Sequence, residues 1–223
     1  MTTPASGAPA PGNPAAHWEA VYATKADADL SWFQPAPSHS IATIAALVPR
    51  PRRIVDAGGG QSALAAELLR TPGFEHAEVT VLDISAAAVQ RGRTRAGDVA
   101  GRIRWLVGDA LDAAAAGAAI APASIDCWHD RALFHFLVDP ADRARYAARV
   151  AQAVAPGGHL VVAAFAPDGP ERCSNLPVQR HDAASIAAAF APAFALVTEA
   201  REEHLTPWGK PQRFTWAVLR RMG

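Results

Sequence analysis

Residues 53–62 read Arg53-Ile54-Val55-Asp56-Ala57-Gly58-Gly59-Gly60-Gln61-Ser62. A short apolar run ends in a carboxylate, three glycines follow at once, and an alanine- and leucine-rich helical pattern begins at Ala63. This order reads as a buried strand, a turn too tight for side chains, and a helix N-terminus. Such a turn lets a nucleotide-like ligand lie against bare backbone. Asp56 at the strand tip bears on which ligand: it repels a pyrophosphate and attracts a cation or a hydroxyl-bearing sugar.

Two further strands end in acids. Ala77 to Asp83 reads as a buried strand, followed by Ile84, the candidate N-cap Ser85 and an alanine-rich helix. An acid in the place of Asp83 can accept both ribose hydroxyls, through bonds worth about 1.5–3 kcal/mol. The third strand, Ile103 to Val107, leads into Gly108-Asp109-Ala110. Any one of these acids could be a helix cap. Three at successive strand tips point to a ligand.

The spacing Gly58-x-Gly60-x-x-Ala63 matches the dinucleotide fingerprint. An ordinary glycine-rich strand-to-helix turn reads the same way. The run Asp56-x-Gly58-x-Gly60 also resembles the D/E-x-G-x-G motif that opens class I S-adenosylmethionine (SAM) methyltransferases. SAM carries a sulfonium and an ammonium and no phosphate, so a carboxylate before the glycines suits it better than NAD. The resemblance places the cofactor on Asp56, Gly58, Gly60, Asp83, Ile84, Asp109 and Ala110, the last two in a loop that resembles the adenine-binding loop of SAM enzymes.

The remaining pattern is regular. Helices are expected from near His17 and from Ser38 to Leu47, with strand–helix pairs from Arg53, Val79 and Ile103. A fourth strand covers Ser124 to His129, with a helix from Pro140 to Val154. The turn Ala155-Pro156-Gly157-Gly158 precedes the strand His159–Phe165, and a helix runs from Asp182 to Phe190. Two closing strands, Phe194–Ala200 and Gln212–Leu219, have no helix between them. Alternating strands and helices imply a doubly wound parallel sheet, and the closing pair implies an antiparallel hairpin on one edge. The expectation is an α/β fold: a seven-stranded Rossmann-like doubly wound sheet with a C-terminal antiparallel β-hairpin. Residues 17–223 would form the domain, with 17–48 as an N-terminal lid. The first sixteen residues are rich in Pro, Ala, Gly, Ser and Thr and read as a disordered tail without a signal peptide's basic region.

The 223 residues carry a formal net charge of zero, which argues against nucleic acid held by bulk electrostatics. No apolar run is long enough to span a membrane. Cys127 and Cys173 sit in no metal-ligand spacing. Arginine far outnumbers lysine and alanine abounds, which reads as codon bias of a GC-rich bacterial genome; the expected compartment is the cytoplasm.

The segment Trp128-His129-Asp130-Arg131-Ala132, with Pro140-x-x-Arg143-x-x-Tyr146 behind it, resembles the Trp-Asp-Arg-Gly segment and following helix of thiopurine S-methyltransferase-like enzymes. The start, His17-Trp18-Glu19 through Ser31-Trp32-Phe33-Gln34-Pro35, resembles the same group's N-terminal arm. Ala132 stands where that group usually has glycine, and His129 is extra. The resemblance implies that Trp32, Phe33 and Gln34 fold over the cofactor. It also puts the loop after the fourth strand beside the methyl group. His129 and Asp130 are then candidates for acceptor deprotonation or binding, and Arg131 for fixing the loop or an anionic group. A loop-structural role for Asp130 and Arg131 weighs equally. His135 reads more readily as a core residue, and Cys173 and His204 as incidental loop residues than as ligands of a soft substrate. The expected function is methyl transfer from SAM to a small molecule, at a thiol or other soft atom. A protein lysine methyltransferase and a non-catalytic SAM-binding module are the alternatives. The oligomeric state is not legible.

Overall fold

The computed structural model describes residues 13–112 and 120–223. Five strands run parallel: β1 (Arg53–Ala57), β2 (Glu78–Asp83), β3 (Ile103–Val107), β4 (Ile125–Arg131) and β5 (Val154–Phe165). A two-stranded hairpin, β6 (Arg172–Cys173) and β7 (Leu176–Pro177), stands apart. The chain closes with antiparallel β8 (Phe194–Leu205) and β9 (Pro211–Arg221). The main sheet has the order β3-β2-β1-β4-β5-β9-β8, with β9 antiparallel to β5. The helices are α1 (Pro14–Thr24), α2 (Ser38–Ala45), α3 (Leu64–Arg70), α4 (Ala86–Ala96), α5 (Pro140–Ala153) and α6 (Ala183–Phe190). The seven-stranded fold with its terminal hairpin is the one expected.

Several boundaries differ from the expected ones, each because a partner is present. The first helix starts at Pro14 because Asn13 Oδ1 accepts from the Ala16 amide at 3.1 Å, and proline at the first helical position needs no amide partner. Residues 14–16 are therefore helix; residues 1–12 of the expected tail lie outside the described residues. The described residues between β3 and β4 hold no helix of the kind expected there, and residues 113–119 lie outside them. β4 runs through Arg131, two residues past its expected end, because β5 supplies a partner as far as Ala163 opposite Arg131. β8 extends to Leu205 because β9 pairs it down to Pro211.

The sheet is covered on both faces, so its central strands are buried along nearly their whole length. Parallel register sets neighbouring side chains on the same face. Asp56 lies opposite His129, and Ala57 opposite Asp130. Asp56 and His129 thus face one helical layer, and Trp128 and Asp130 the other. On that second face Tyr146 of α5 is the meeting point. Its hydroxyl donates to Asp130 Oδ2 at 2.6 Å and accepts from Trp128 Nε1 at 3.0 Å. Asp130 Oδ1 accepts from the amides of Leu133 and Phe134. Arg143 donates to the carbonyls of Leu137 and Val138. The chain between β4 and α5 is held from both ends.

The glycine turn packs directly beneath α4. Gly60 has φ of +36°, and a Cβ there would stand 2.7 Å from Asp83 Oδ2. A Cβ on Gly92 of α4 would stand 2.1 Å from the Gly60 carbonyl oxygen. Either substitution forces helix and turn apart.

Tyr146→Phe leaves a buried indole donor and a buried carboxylate oxygen short of partners. The expected cost is about 1–3 kcal/mol, a fall in Tm of about 2–4 °C per kcal/mol for a chain of this size. Thermal unfolding checks it, and cofactor affinity should stay nearly unchanged because Tyr146 lines neither cavity of the site described next.

Candidate active site

The carboxyl ends of β1 to β4 open into a cavity of about 360 Å³. Ligands of doubly wound sheets bind at this end, where the strand order reverses. Gly58, Asp83, Ile84, Asp109 and Ala110 line its sheet side. A recess of about 60 Å³ adjoins it, lined among others by Asp56, Gly59, Ser40 and His129. Tyr22, Trp32, Gly58 and Arg131 border both. Six of the seven residues expected at the cofactor therefore line the two cavities; Gly60 lines neither and shapes the turn beneath them.

The N-terminal arm forms the outer wall. Trp18 meets Trp32 edge-on at 5.6 Å and Phe136 at 4.9 Å, and Tyr22 meets Trp32 at 6.2 Å. The arm is fastened to α4. Glu19 accepts from Ser85 Oγ at 2.7 Å and from the Ala87 amide at 3.2 Å, a carboxylate at a helix N-terminus. Arg95 pairs with Asp27 and lies over the Phe33 ring at 4.9 Å. Phe33 and Gln34 line the recess, and Gln34 Nε2 donates to Glu202 Oε1 at 3.2 Å.

The recess has two open charges. Asp56, 3% exposed, accepts at Oδ1 from His129 Nδ1 at 2.8 Å, while its buried Oδ2 has no partner. Arg131 donates from Nη1 to the Trp32 carbonyl at 3.2 Å, stands 3.7 Å from Glu202 and lies over Phe214 at 4.6 Å. Its Nη2 is buried without a partner. Burial lowers the Arg131 pKa, with Glu202 acting against that.

Across the larger cavity, Asp83 has its carboxyl pushed up to about 7, first by burial and further by Asp56 and Glu19. The Tyr22 hydroxyl is pushed up by burial and by Asp83.

The three residues expected to act on an acceptor are strand residues, not loop residues, and they separate. His129 faces the recess, but Nδ1 is bound to Asp56 and Nε2 lies 3.1 Å from Ser40 Oγ, so both ring nitrogens are engaged. Asp130 points to the opposite face, is 0% exposed and is fully engaged by Tyr146 and two amides; burial raises its pKa to about 6. It lines neither cavity. His129 and Arg131 both line the recess, and Arg131 alone of the three borders both cavities. His135 is a core residue: its ring stacks on Phe165 at 4.3 Å, Nδ1 accepts from the Phe165 amide, and burial pushes its pKa down to about 3. His204 lies in β8 and donates to the Ser31 carbonyl at 2.7 Å. Cys173 does line the cavity, with its thiol raised to about 11 by burial. Sequence reasoning missed Tyr22, Ser40 and Glu202. The i, i+4 spacing of Trp18 and Tyr22 on one helix was a signal for the first; the other two come from segments remote in sequence.

Residues 54–158 match the family model described as a methyltransferase domain. The matched segment resembles the domain of class I, SAM-dependent methyltransferases. Among curated proteins, the ubiquinone/menaquinone biosynthesis C-methyltransferase UbiE of Methylobacterium nodulans is 47% identical over 73 residues, covering 31% of this chain and only 29% of that protein. Among solved structures, one described for the conversion of a disulfide bond into a thioacetal group during echinomycin biosynthesis has a TM-score of 0.71 at 20% identity, over 92% of this chain and 91% of the other. The 1,6-didemethyltoxoflavin-N1-methyltransferase of Burkholderia thailandensis, with its substrate and S-adenosylhomocysteine (SAH) bound, has a TM-score of 0.65 at 19% identity, over 100% and 94%. These likenesses extend the fold beyond the matched segment to the arm and the terminal hairpin.

Asp83 connects the domain's stability to its ligand. Its folded pKa, about 7, lies above the ordinary 3.8, so the stability linked to it is full below 3.8 and lost as pH rises through about 7. A ribose that donates to Asp83 favours the ionised form. SAH affinity should therefore tighten as pH rises through about 7, measured by calorimetry from pH 5.5 to 8.5. Asp83→Asn should flatten that dependence, weaken SAH by about 1.5–3 kcal/mol at pH 8, and raise the ligand-free Tm at the same pH.

Proposed function

We propose that this chain transfers the methyl group of SAM to a small-molecule acceptor inside a chamber closed by its own N-terminal arm. One observation carries the reading. Asp56 Oδ2 and Arg131 Nη2 are both buried, both without a partner, and both border one small recess. An open anion and an open cation in one recess fit the ammonium and carboxylate of an amino-acid zwitterion. The adjoining cavity offers Asp83 for a ribose and the Asp109–Ala110 segment for a base. Adenosine joined to an amino acid, without phosphate, is the chemistry of SAM. A dinucleotide would set a pyrophosphate against Asp56 and Asp83.

When bound, SAM supplies an electrophilic methyl on a sulfonium. The chain's own residues bind, orient and shield. His129 and Ser40 hold Asp56 so that one oxygen stays open. Glu202 and the Trp32 carbonyl aim Arg131. Trp18, Tyr22 and Trp32 exclude water and present aromatic faces, each worth about 0.5–2 kcal/mol to a cation. The donor is already activated, so positioning supplies most of the acceleration. In this assignment Arg131 belongs to the cofactor, not to the acceptor, and His129 is a positioning residue.

The closed arm favours a small molecule over a protein lysine. Cys173 and Leu176 of the small hairpin add a soft, apolar side to the cavity, which supports an acceptor of low polarity, sulfur included. The Burkholderia structure carries a small molecule together with SAH. Membership in the thiopurine S-methyltransferase-like branch fits the arm and the Trp128–Tyr146 segment.

The test separates the two ends of the cofactor. Arg131→Met should weaken SAH about 10- to 150-fold, the loss of a charged hydrogen bond. It should leave 5′-methylthioadenosine, which lacks the amino-acid end, within about threefold. Calorimetry at a temperature where both proteins are folded reads both. Tight NAD binding without SAH binding would overturn the assignment.

A further inference from the structure

Among the described residues that line the larger cavity, the buried side-chain polar atoms without a partner are Nε and Nη2 of Arg131 and Nε2 of His17. Arginine only donates. We propose that His17 of α1 is the general base of the reaction, taking the proton of an aromatic acceptor that carries a hydroxyl or thiol. The proposal rests on the methyltransferase reading above and names the acceptor class of that same site.

The surroundings define the acceptor. His17 meets the Trp18 ring edge-on at 5.2 Å, and Trp18 packs on Phe136. Leu137 and Leu176 complete an apolar wall. A flat, largely apolar molecule fits such a wall, with one polar group to meet one open ring nitrogen. The Ser174 backbone acts on the ring against the lowering by burial and Lys25. Nε2 is buried without a partner, so it is the nitrogen free to take a proton in the tautomer protonated at Nδ1.

The other groups around the cavity do not compete. Asp83 and Asp109 belong to the adenosine end and Arg131 to the recess. Tyr22 and Cys173 are held as neutral acids by burial. Asp142 of α5 stands at the cavity wall as well, but its carboxylate is paired with Arg145 at 2.6 Å. Burial, then Lys25, lowers the His17 pKa below 6.5, so the ring is a free base at neutral pH. In the step, the acceptor's O–H or S–H proton passes to Nε2. The acceptor's lone pair forms the bond to the methyl carbon, and the electron pair of the broken carbon–sulfur bond stays on sulfur. The products are the methyl ether or thioether, SAH and an imidazolium that returns its proton to water.

The probes are 2-naphthol and 2-naphthalenethiol, with the full chain and SAM. Wild type should methylate at least one of them, with kcat/KM falling as pH drops through a value below 6.5. His17→Ala and His17→Gln should each lower kcat with 2-naphthol about 10²- to 10⁴-fold and lose that acid limb. The loss should shrink with the thiol at high pH, where water can take its proton. SAH affinity by calorimetry and naphthol binding by fluorescence in the SAH complex should both stay within about threefold. Unchanged turnover and an unchanged acid limb in both variants would overturn the base. A wild type that binds SAH yet methylates neither probe would overturn the acceptor class. A wild type that does not bind SAH would instead overturn the underlying methyltransferase reading.

Discussion

The Asp56 carboxylate is buried at the tip of a central strand, and a buried charge needs partners. The parallel register of β1 and β4 provides the first by setting His129 beside it on the same face. Ser40, from α2, provides a stop for the far side of that ring. Sheet, glycine turn and second helix thus converge on one oxygen of one aspartate. The other oxygen faces a recess shared with an equally unpaired arginine nitrogen. The proposed fit of this recess to a zwitterion rests on how the strands are aligned.

The opposite face of β4 shows a different use of the same alternation. Trp128 and Asp130 are two residues apart, so they share a face, and Tyr146 satisfies both. Arg143 holds the intervening carbonyls. The Trp-x-Asp-Arg and Pro-x-x-Arg-x-x-Tyr pattern is therefore mostly a staple between β4 and α5, with Arg131 as the member that looks into the site. A shared staple explains a family resemblance without naming an acceptor. In the proposed reading, acceptor identity falls to the arm and the β6–β7 hairpin, where the residues lining the cavity are aromatic and apolar.

The site gathers acids. Burial raises the cost of ionising Asp83, and Asp56 and Glu19 add to it. Glu19 is spared by the N-terminus of α4, which holds its carboxyl below the usual range through Ser85 and the Ala87 amide. That contact docks the arm over the cavity. The same electrostatic strain that weakens the ligand-free fold above pH 7 is relieved by a ligand bearing hydroxyl donors and a positive charge, so cofactor affinity and fold stability are linked at Asp83.

The sheet, its terminal hairpin and the glycines and acids at the strand tips were legible in the chain itself. Glycines, strand-tip acids and alternating apolar runs are local signals, and backbone geometry reads them locally. The acceptor residues were not. His129, Asp130 and Arg131 are adjacent in sequence, and only the continuation of β4, set by its pairing with β5, sends their side chains to opposite layers. Ser40, Glu202 and His17 reach the site from segments far from one another in sequence, and no spacing announces that. The sequence by itself determined the strand order's raw material and the chemistry of the turn, because both depend on neighbours along the chain. Tertiary structure decided which charges stay open and which are consumed, because a hydrogen-bond partner is a matter of distance in space.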